Sequence, residues 1–202
     1  MERYPQLEEC RRDILAAYEK LREVYERKGI LLICGNGGSG ADSEHIAGEL
    51  MKEFALRRPL GEEEQDRLKK AFGGHGTLLA EHLQGSLPAI ALTGHIALST
   101  AYANDAAPEL VFAQQVYGYG TPESGLLGIS TSGNSLNVIY ALEVARSKGM
   151  TVLGLTGESG GRMKGLCDVC ICVPARETAD IQELHLPVYH TLCKMLEEVF
   201  FG

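Results

Sequence analysis

Positive charge is scarce in this chain: 19 lysines and arginines stand against 27 aspartates and glutamates, a formal net charge of −8 over 202 residues. That balance argues against a protein that grips nucleic acid by neutralising its phosphates. Long apolar runs are missing too. No stretch approaches the roughly 18 apolar residues of a membrane span, so no membrane partner is expected. A secretory leader is not expected either, because Met1-Glu2-Arg3-Tyr4-Pro5-Gln6 runs straight into a charged amphipathic segment. The six cysteines, Cys10, Cys34, Cys167, Cys170, Cys172 and Cys193, do not form the pattern of a disulfide framework in a chain this long. Cys167-x-x-Cys170 lacks both the second ligand pair of a zinc knuckle and the helix N-terminus of a redox pair. It sits in an apolar run, Leu166–Val173, and is expected to pack as part of a buried strand. A soluble, cytoplasmic protein is the expectation.

What is present is an alternation. Apolar runs at Ile30–Cys34, Pro88–Leu92, Leu126–Ile129, Thr151–Leu155 and Val169–Val173 are separated by helical patterns at Ser39–Phe54, Ala97–Ala103, Pro108–Tyr117, Asn134–Ser147 and Gly161–Leu166. A long amphipathic helix is expected over residues 6–28 and another over about Thr178–Phe201. Strands of this kind separated by helices predict an α/β fold, a three-layer sandwich whose central parallel sheet of about five strands is flanked by helices. The whole chain, 1–202, reads as one domain. Residues 55–87 stand out within it. Gly61–Lys70 is helical but strongly charged, and Phe72-Gly73-Gly74-His75-Gly76 has the composition of a flexible turn. The segment is read as a helical insertion or lid, or as a solvated hairpin that helps subunits pack, with His75 and His82 in structural or interfacial roles.

Two loops carry the first chemical signal. Cys34-Gly35-Asn36-Gly37-Gly38-Ser39 joins a strand to a helix, and Ser130-Thr131-Ser132-Gly133-Asn134-Ser135 does the same further on. Glycines allow close approach, backbone N–H groups converge, and the helix dipole favours an anion, so both predict phosphate cradles. A single helix cap needs one hydroxyl or amide; the second loop crowds five polar side chains into six positions.

The second signal is a set of reacting groups. His45 and Glu49 are four residues apart and share a helix face. Gln182, His185 and His190 lie on an otherwise apolar C-terminal helix, where polar groups need partners. Gln182 and His190, eight residues apart, fall within about 80° around the axis, with a kink expected at Pro187 between them. A carboxylate that takes a proton α to a carbonyl, an acid that shuttles a proton at oxygen and remote phosphate donors are the requirements of sugar phosphate isomerisation. Two histidines, a carboxylate and an amide oxygen also make a nitrogen/oxygen donor set for zinc or a similar ion. Asn104-Asp105 alone would pass for a turn.

At these residues the chain resembles the sugar isomerase (SIS) domain family, and within it the bacterial phosphoheptose isomerases. The resemblance runs in order through the first loop, His45-x3-Glu49, Leu87–Leu92, Asn104-Asp105, the second loop and Gln182-Glu183-x-His185 with His190; it leaves out 55–87. It implies a SIS, flavodoxin-like fold with long terminal helices, and conversion of D-sedoheptulose 7-phosphate to D-glycero-D-manno-heptose 7-phosphate for heptose and lipopolysaccharide synthesis. It implies Glu49 as base and His190 as acid, and one zinc per site at His45, Glu49, Gln182 and His190. Substrate contacts are implied at Asn36, Gly37, Gly38, Ser39, Glu49, Asn104, Asp105, Ser130, Thr131, Ser132, Ser135 and Gln182. A homotetramer with sites between subunits, taking a phosphorylated seven-carbon sugar, is implied as well. Gly40 and Asp42 depart from the small or polar residues expected after the first loop.

Non-catalytic SIS proteins, which bind a phosphosugar or a protein such as a replication initiator, are the main alternative; the presence of both Glu49 and His190 argues against it. A nicotinamide enzyme is disfavoured, since the first loop is G-N-G-G-S and not G-x-G-x-x-G.

Overall fold

The computed structural model describes residues 3–202. The five apolar runs form strands β1 (Leu31–Gly35), β2 (Ala89–Ala91), β3 (Gly125–Ile129), β4 (Thr151–Thr156) and β5 (Val169–Cys172). Every pairing is parallel and the order is β2-β1-β3-β4-β5. The helices are α1 (Arg11–Glu26), α2 (Gly38–Met51), α3 (Glu62–His82), α4 (Ile96–Asp105), α5 (Val111–Tyr119), α6 (Leu136–Ser147) and α7 (Thr178–Phe201). A parallel sheet covered on both faces needs apolar side chains on both, which is why its strands read as continuous runs instead of alternating.

The alternation of Cβ directions along each strand divides the core in two. Leu31, Ile33, Leu127, Ile129, Leu153 and Leu155 pack with residues of α1, α2 and α7. Leu32, Cys34, Leu126 and Val152 pack with α5 and α6. Gly128 lies on the second face, where a Cβ would stand 2.9 Å from Val138 and 3.0 Å from Leu142. Glycine there lets α6 sit close on the sheet.

The strand order reverses between β1 and β3: the chain leaves β1 toward β2 on one side and leaves β3 toward β4 on the other. In open parallel sheets the crevice beyond the carboxyl ends of such a pair is where ligands bind. The two polar loops follow these two strands.

Several boundaries differ from expectation. The N-terminal helix opens as a 3-10 turn at Pro5–Cys10 and ends at Glu26, followed by Lys28 at φ 58°. Gly161–Leu166 is only a 3-10 turn, Arg162–Gly165, because Gly160 and Gly161 both take positive φ just before it. The 72–76 stretch is not a loose turn. Helical structure continues on both sides of one reversed residue, Gly73 at φ 56°, and Gly76 packs onto the Leu68 backbone with no space for a Cβ. Pro187 lies within a single 24-residue helix. Cys170 is buried in β5 as expected, whereas Cys167 precedes the strand and is half-buried, and all six cysteines are free. Among the described residues no helix is long and apolar enough to cross a membrane.

Candidate active site

The loop after β1 is tight. A Cβ on Gly35 would lie 2.5 Å from Ser39 O, and Gly37 has φ 54°, so glycine is required at both places. Ser39 is buried in the first turn of α2. A Cβ on Gly38 would lie 2.9 Å from the Gln182 side-chain carbon Cδ, which places the Gln182 amide against the start of α2. After β3, the buried Ser130 has its Oγ 3.0 Å from Oγ of Ser135, the residue that precedes α6. Gly133 turns the chain at φ 66°. Asn134 is spent on the loop itself: its amide donates to Ser132 O at 2.8 Å and its Oδ1 accepts from Arg162 N at 3.0 Å.

The loops are joined by a reciprocal amide pair. Asn36 Nδ2 donates to Asn137 Oδ1 at 2.9 Å, and Asn137 Nδ2 donates to Asn36 Oδ1 at 2.8 Å. Two helix N-termini, each at the end of a glycine-containing loop and tied together, are suited to hold an anion. A cavity of about 520 Å³ adjoins the first loop, lined by Asn36, Gly37, Glu44, Thr93 and Asn137 among others. Another of about 500 Å³ adjoins the second, with Thr131, Ser132 and Asn134 on its wall.

The reacting groups gather elsewhere, where α2 and α7 lie side by side. His45 Nε2 is 3.1 Å from Glu49 Oε1, and His45 Nδ1 is 3.0 Å from the Tyr189 hydroxyl. Tyr189 donates in turn to Asp42 Oδ1 at 3.2 Å. The His190 ring stands 5.1 Å from that of His45 and 5.3 Å from Phe54, centroid to centroid. Glu49 Oε2 and His190 Nε2 are buried and have no hydrogen-bond partner among the described residues. Burial, reinforced by the nearby His45 and opposed by Glu49, lowers the His190 pKa from its ordinary value. Burial raises that of Asp42.

The donor chemistry of this cluster suits a divalent ion of zinc type. Tyr189 holds His45 at Nδ1, as outer-shell partners hold metal-ligating imidazoles, and leaves Nε2 for a ligand. The unpartnered atoms of Glu49 and His190 complete three donors. His45 Nε2 and Glu49 Oε1 lie 3.1 Å apart, and among the described residues no three such side chains close on a common point. Gln182 is about 12 Å from His190 along the axis of α7, two helical turns away, and sits at the start of α2.

The structure therefore brings His45, Glu49 and His190 together, and separately gathers Asn36, Gly37, Gly38, Ser39 and Gln182, with Ser130, Thr131, Ser132 and Ser135 in the neighbouring loop. Asn104 and Asp105 end α4, exposed and bonded to each other at 2.9 Å, and line neither cavity. Sequence reasoning missed Tyr189 and Asn137, and noted Asp42 only as a departure. Asp42 lies three residues before His45 on the same helix face, a spacing that signals its place. Tyr189 and Asn137 carry no such local signal.

The SIS domain family model matches residues 63–157, a span that includes the second loop but none of His45, Glu49, Gln182 and His190. A phosphoheptose isomerase from Roseiflexus sp. is 42% identical over 188 residues, 93% of this chain and 82% of that protein. The one from Aneurinibacillus thermoaerophilus is 40% identical over 194 residues, 96% of this chain and 85% of its own. Among solved structures, the phosphoheptose isomerase of Neisseria gonorrhoeae superposes with a TM-score of 0.77 at 32% identity, covering 98% of this chain and 94% of that one. Each of these matches spans residues 55–87. Relatives this similar, aligned from one end to the other and across both groups of site residues, show that the chain belongs to the phosphoheptose isomerases of the SIS domain family.

Proposed function

We propose that this chain interconverts D-sedoheptulose 7-phosphate and D-glycero-D-manno-heptose 7-phosphate through an enediolate. The observation that carries the reading is a carboxylate and an imidazole in one cluster, both packed on His45, each with one buried atom that has no hydrogen-bond partner among the described residues: Glu49 Oε2 and His190 Nε2. Glu49 takes a proton from C1 of the open-chain ketose, electron density moves onto the C2 oxygen, and the proton is returned at C2 to give the aldose. His190, its pKa lowered by burial, moves the second proton between the two oxygens. The helix N-termini at Gly38 and Leu136 hold the phosphate end. His45, Glu49 and His190 would hold zinc, which when bound would polarise the carbonyl and steady the enediolate; the Gln182 amide, expected as a fourth donor, lies against Gly38 and outside that cluster.

The same reading includes a homotetramer with composite sites. Glu49 is about 16 Å along α2 from Gly38, farther than one seven-carbon sugar phosphate reaches, so a second subunit's loops are the natural source of the phosphate contacts. Among the described residues α4 buries no side chain, and Ile96, Phe72, Leu78 and Leu83 on or beside α3 and α4 are exposed, as faces awaiting a second copy are. Six free thiols suit a reducing cytoplasm. The product would feed heptose and lipopolysaccharide precursor synthesis.

The test is incubation with sedoheptulose 7-phosphate followed by NMR, with and without chelator. The aldose phosphate is the expected product. A protein that leaves the ketose untouched, and is captured on a protein partner in its place, would overturn the reading. Full activity after complete metal removal would strike zinc from it and leave the enediolate chemistry standing.

A further inference from the structure

The loop assigned to the phosphate contains hydroxyls, amides and backbone N–H groups, but Thr131–Ser135 has no cationic side chain. The cavity of about 500 Å³ against it has one: Arg176, the single lysine or arginine on its wall among the described residues. Arg176 is not free to act as the structure stands. Its Nε lies 2.6 Å from Glu158 Oε2 and its Nη2 3.3 Å from Glu158 Oε1, a two-point fork onto a carboxylate.

We propose that Arg176 is a phosphate ligand of this site, held by Glu158 until the substrate's phosphate displaces that carboxylate. The inference rests on the reading of Thr131–Ser135 as the phosphate end of a sugar phosphate site. Three segments are fixed close together there. Gly157 N donates to Thr131 O at 3.1 Å, and Glu158 N donates to Ala175 O at 3.0 Å. A Cβ on Gly157 would fall 2.9 Å from Thr131 O and 3.1 Å from Ala175 O, so only glycine allows this approach. Arg176 thus follows directly on Ala175, a position on the cavity wall whose carbonyl is anchored by Glu158 N.

The pair is also built to open. Its side chains are 83% and 50% exposed, and exposed ion pairs are weakly held. A phosphate dianion offers guanidinium the same two-point geometry as a carboxylate, with more charge. Glu158 has the opposite effect. Bonded to Arg176, its carboxyl is held below the ordinary value, so a full negative charge stands at the mouth of an anion site. Removing it frees Arg176 and removes a repulsion together.

The two partners must therefore act with opposite signs, which a plain structural tie between the loops would not produce. The probe is inorganic phosphate, titrated calorimetrically into the intact protein. Arg176→Ala is expected to weaken binding about tenfold, as the loss of a charge-assisted bond does, and Arg176→Lys to recover part of it. Glu158→Gln is expected to tighten binding about threefold, the share of one rim charge. With sedoheptulose 7-phosphate, the Arg176→Ala loss should fall on KM and not on kcat. Weaker binding in both variants would make the pair a structural latch and overturn the proposal. Unchanged binding in Arg176→Ala, with a loss in Ser132→Ala, would also overturn it while leaving the functional reading intact. Opposite signs in a protein that never isomerises the ketose would support the anion site and refute the activity.

Discussion

Arg58 Nε lies 2.7 Å from Glu197 Oε1, and both side chains are wholly buried. The guanidinium also donates to the carbonyls of Leu50 at 2.8 Å and Glu49 at 3.1 Å, two of the last acceptors of α2. Glu197 accepts from Phe54 N at 2.9 Å and Ala55 N at 2.7 Å. Burial alone would raise the Glu197 carboxyl, but these N–H groups and Arg58 more than offset it and leave it below its ordinary value. The end of α2 that bears Glu49 is thereby fastened to α7 two turns beyond His190. The proposed base and acid stand on helices locked at one point.

Breaking this lock should be expensive. Arg58→Met strands a buried carboxylate and is expected to cost about 3–5 kcal/mol of stability. The double variant Arg58→Met/Glu197→Met should cost less than Arg58→Met alone. Urea denaturation measures both. Arg58→Lys keeps the charge but not the fork, and should fold with reduced kcat because the Glu49 carbonyl is released. An Arg58→Met protein within 1 kcal/mol of the parent, roughly the worth of a surface pair, would show that the lock carries nothing.

Glu49→Gln preserves shape and removes the base. Isomerisation should fall by about 10³-fold or more, while binding of the phosphosugar changes little because its phosphate is held by other elements. Single-turnover NMR and a separate binding titration check the two halves. Turnover like that of the parent would remove Glu49 from the proton transfer.

Much of this was legible in the sequence. The five apolar runs place all five strands within about two residues, since a doubly covered parallel strand has no other pattern available to it. The two cradles were legible because glycine, serine and asparagine crowd where a strand meets a helix. The lock was not. Arg58 and Glu197 are 139 residues apart, and a charge in an apolar helix announces that it needs a partner without naming one. The 72–76 stretch misled for a related reason: its glycines permit a loose turn, and packing of Gly76 on Leu68 selects a single sharp reversal. Gln182 and His190 were placed on nearby faces correctly by angle, but angle says nothing of the two turns of rise that separate them.

The Asn36–Asn137 pair gives a further prediction. Each amide satisfies the other, and Asn137 Oδ1 also accepts from Val138 N at 3.0 Å. Asn137→Ala removes both bonds between the cradles and should raise KM for the phosphosugar by about tenfold, with the fold retained by circular dichroism. Asn137→Asp keeps one acceptor but adds a negative charge beside an anion site, and should be worse than alanine. If aspartate is tolerated and alanine is not, the pair serves only to hold the loop.

His185 supplies a pH dependence. It is fully buried on α7, where, among the described residues, the Thr156 backbone is the one polar group that bears on its ring and only partly offsets the burial. Burial pushes its pKa down from 6.5 to about 4. The unfolded chain therefore takes up a proton near pH 6.5 and the folded chain not until about pH 4. Between those values the unfolded state binds more protons, so stability falls as pH falls. The contribution is fully present above pH 6.5 and is lost by about 1.4 kcal/mol per pH unit once well below it. His185→Leu removes this titration while keeping the site filled. Urea midpoints at pH 7, 6 and 5 should decline for the parent and stay flatter for the variant, with the gap widening toward pH 5. Parallel declines would mean that His185 takes its proton in the folded protein, and that α7 opens to water at that turn.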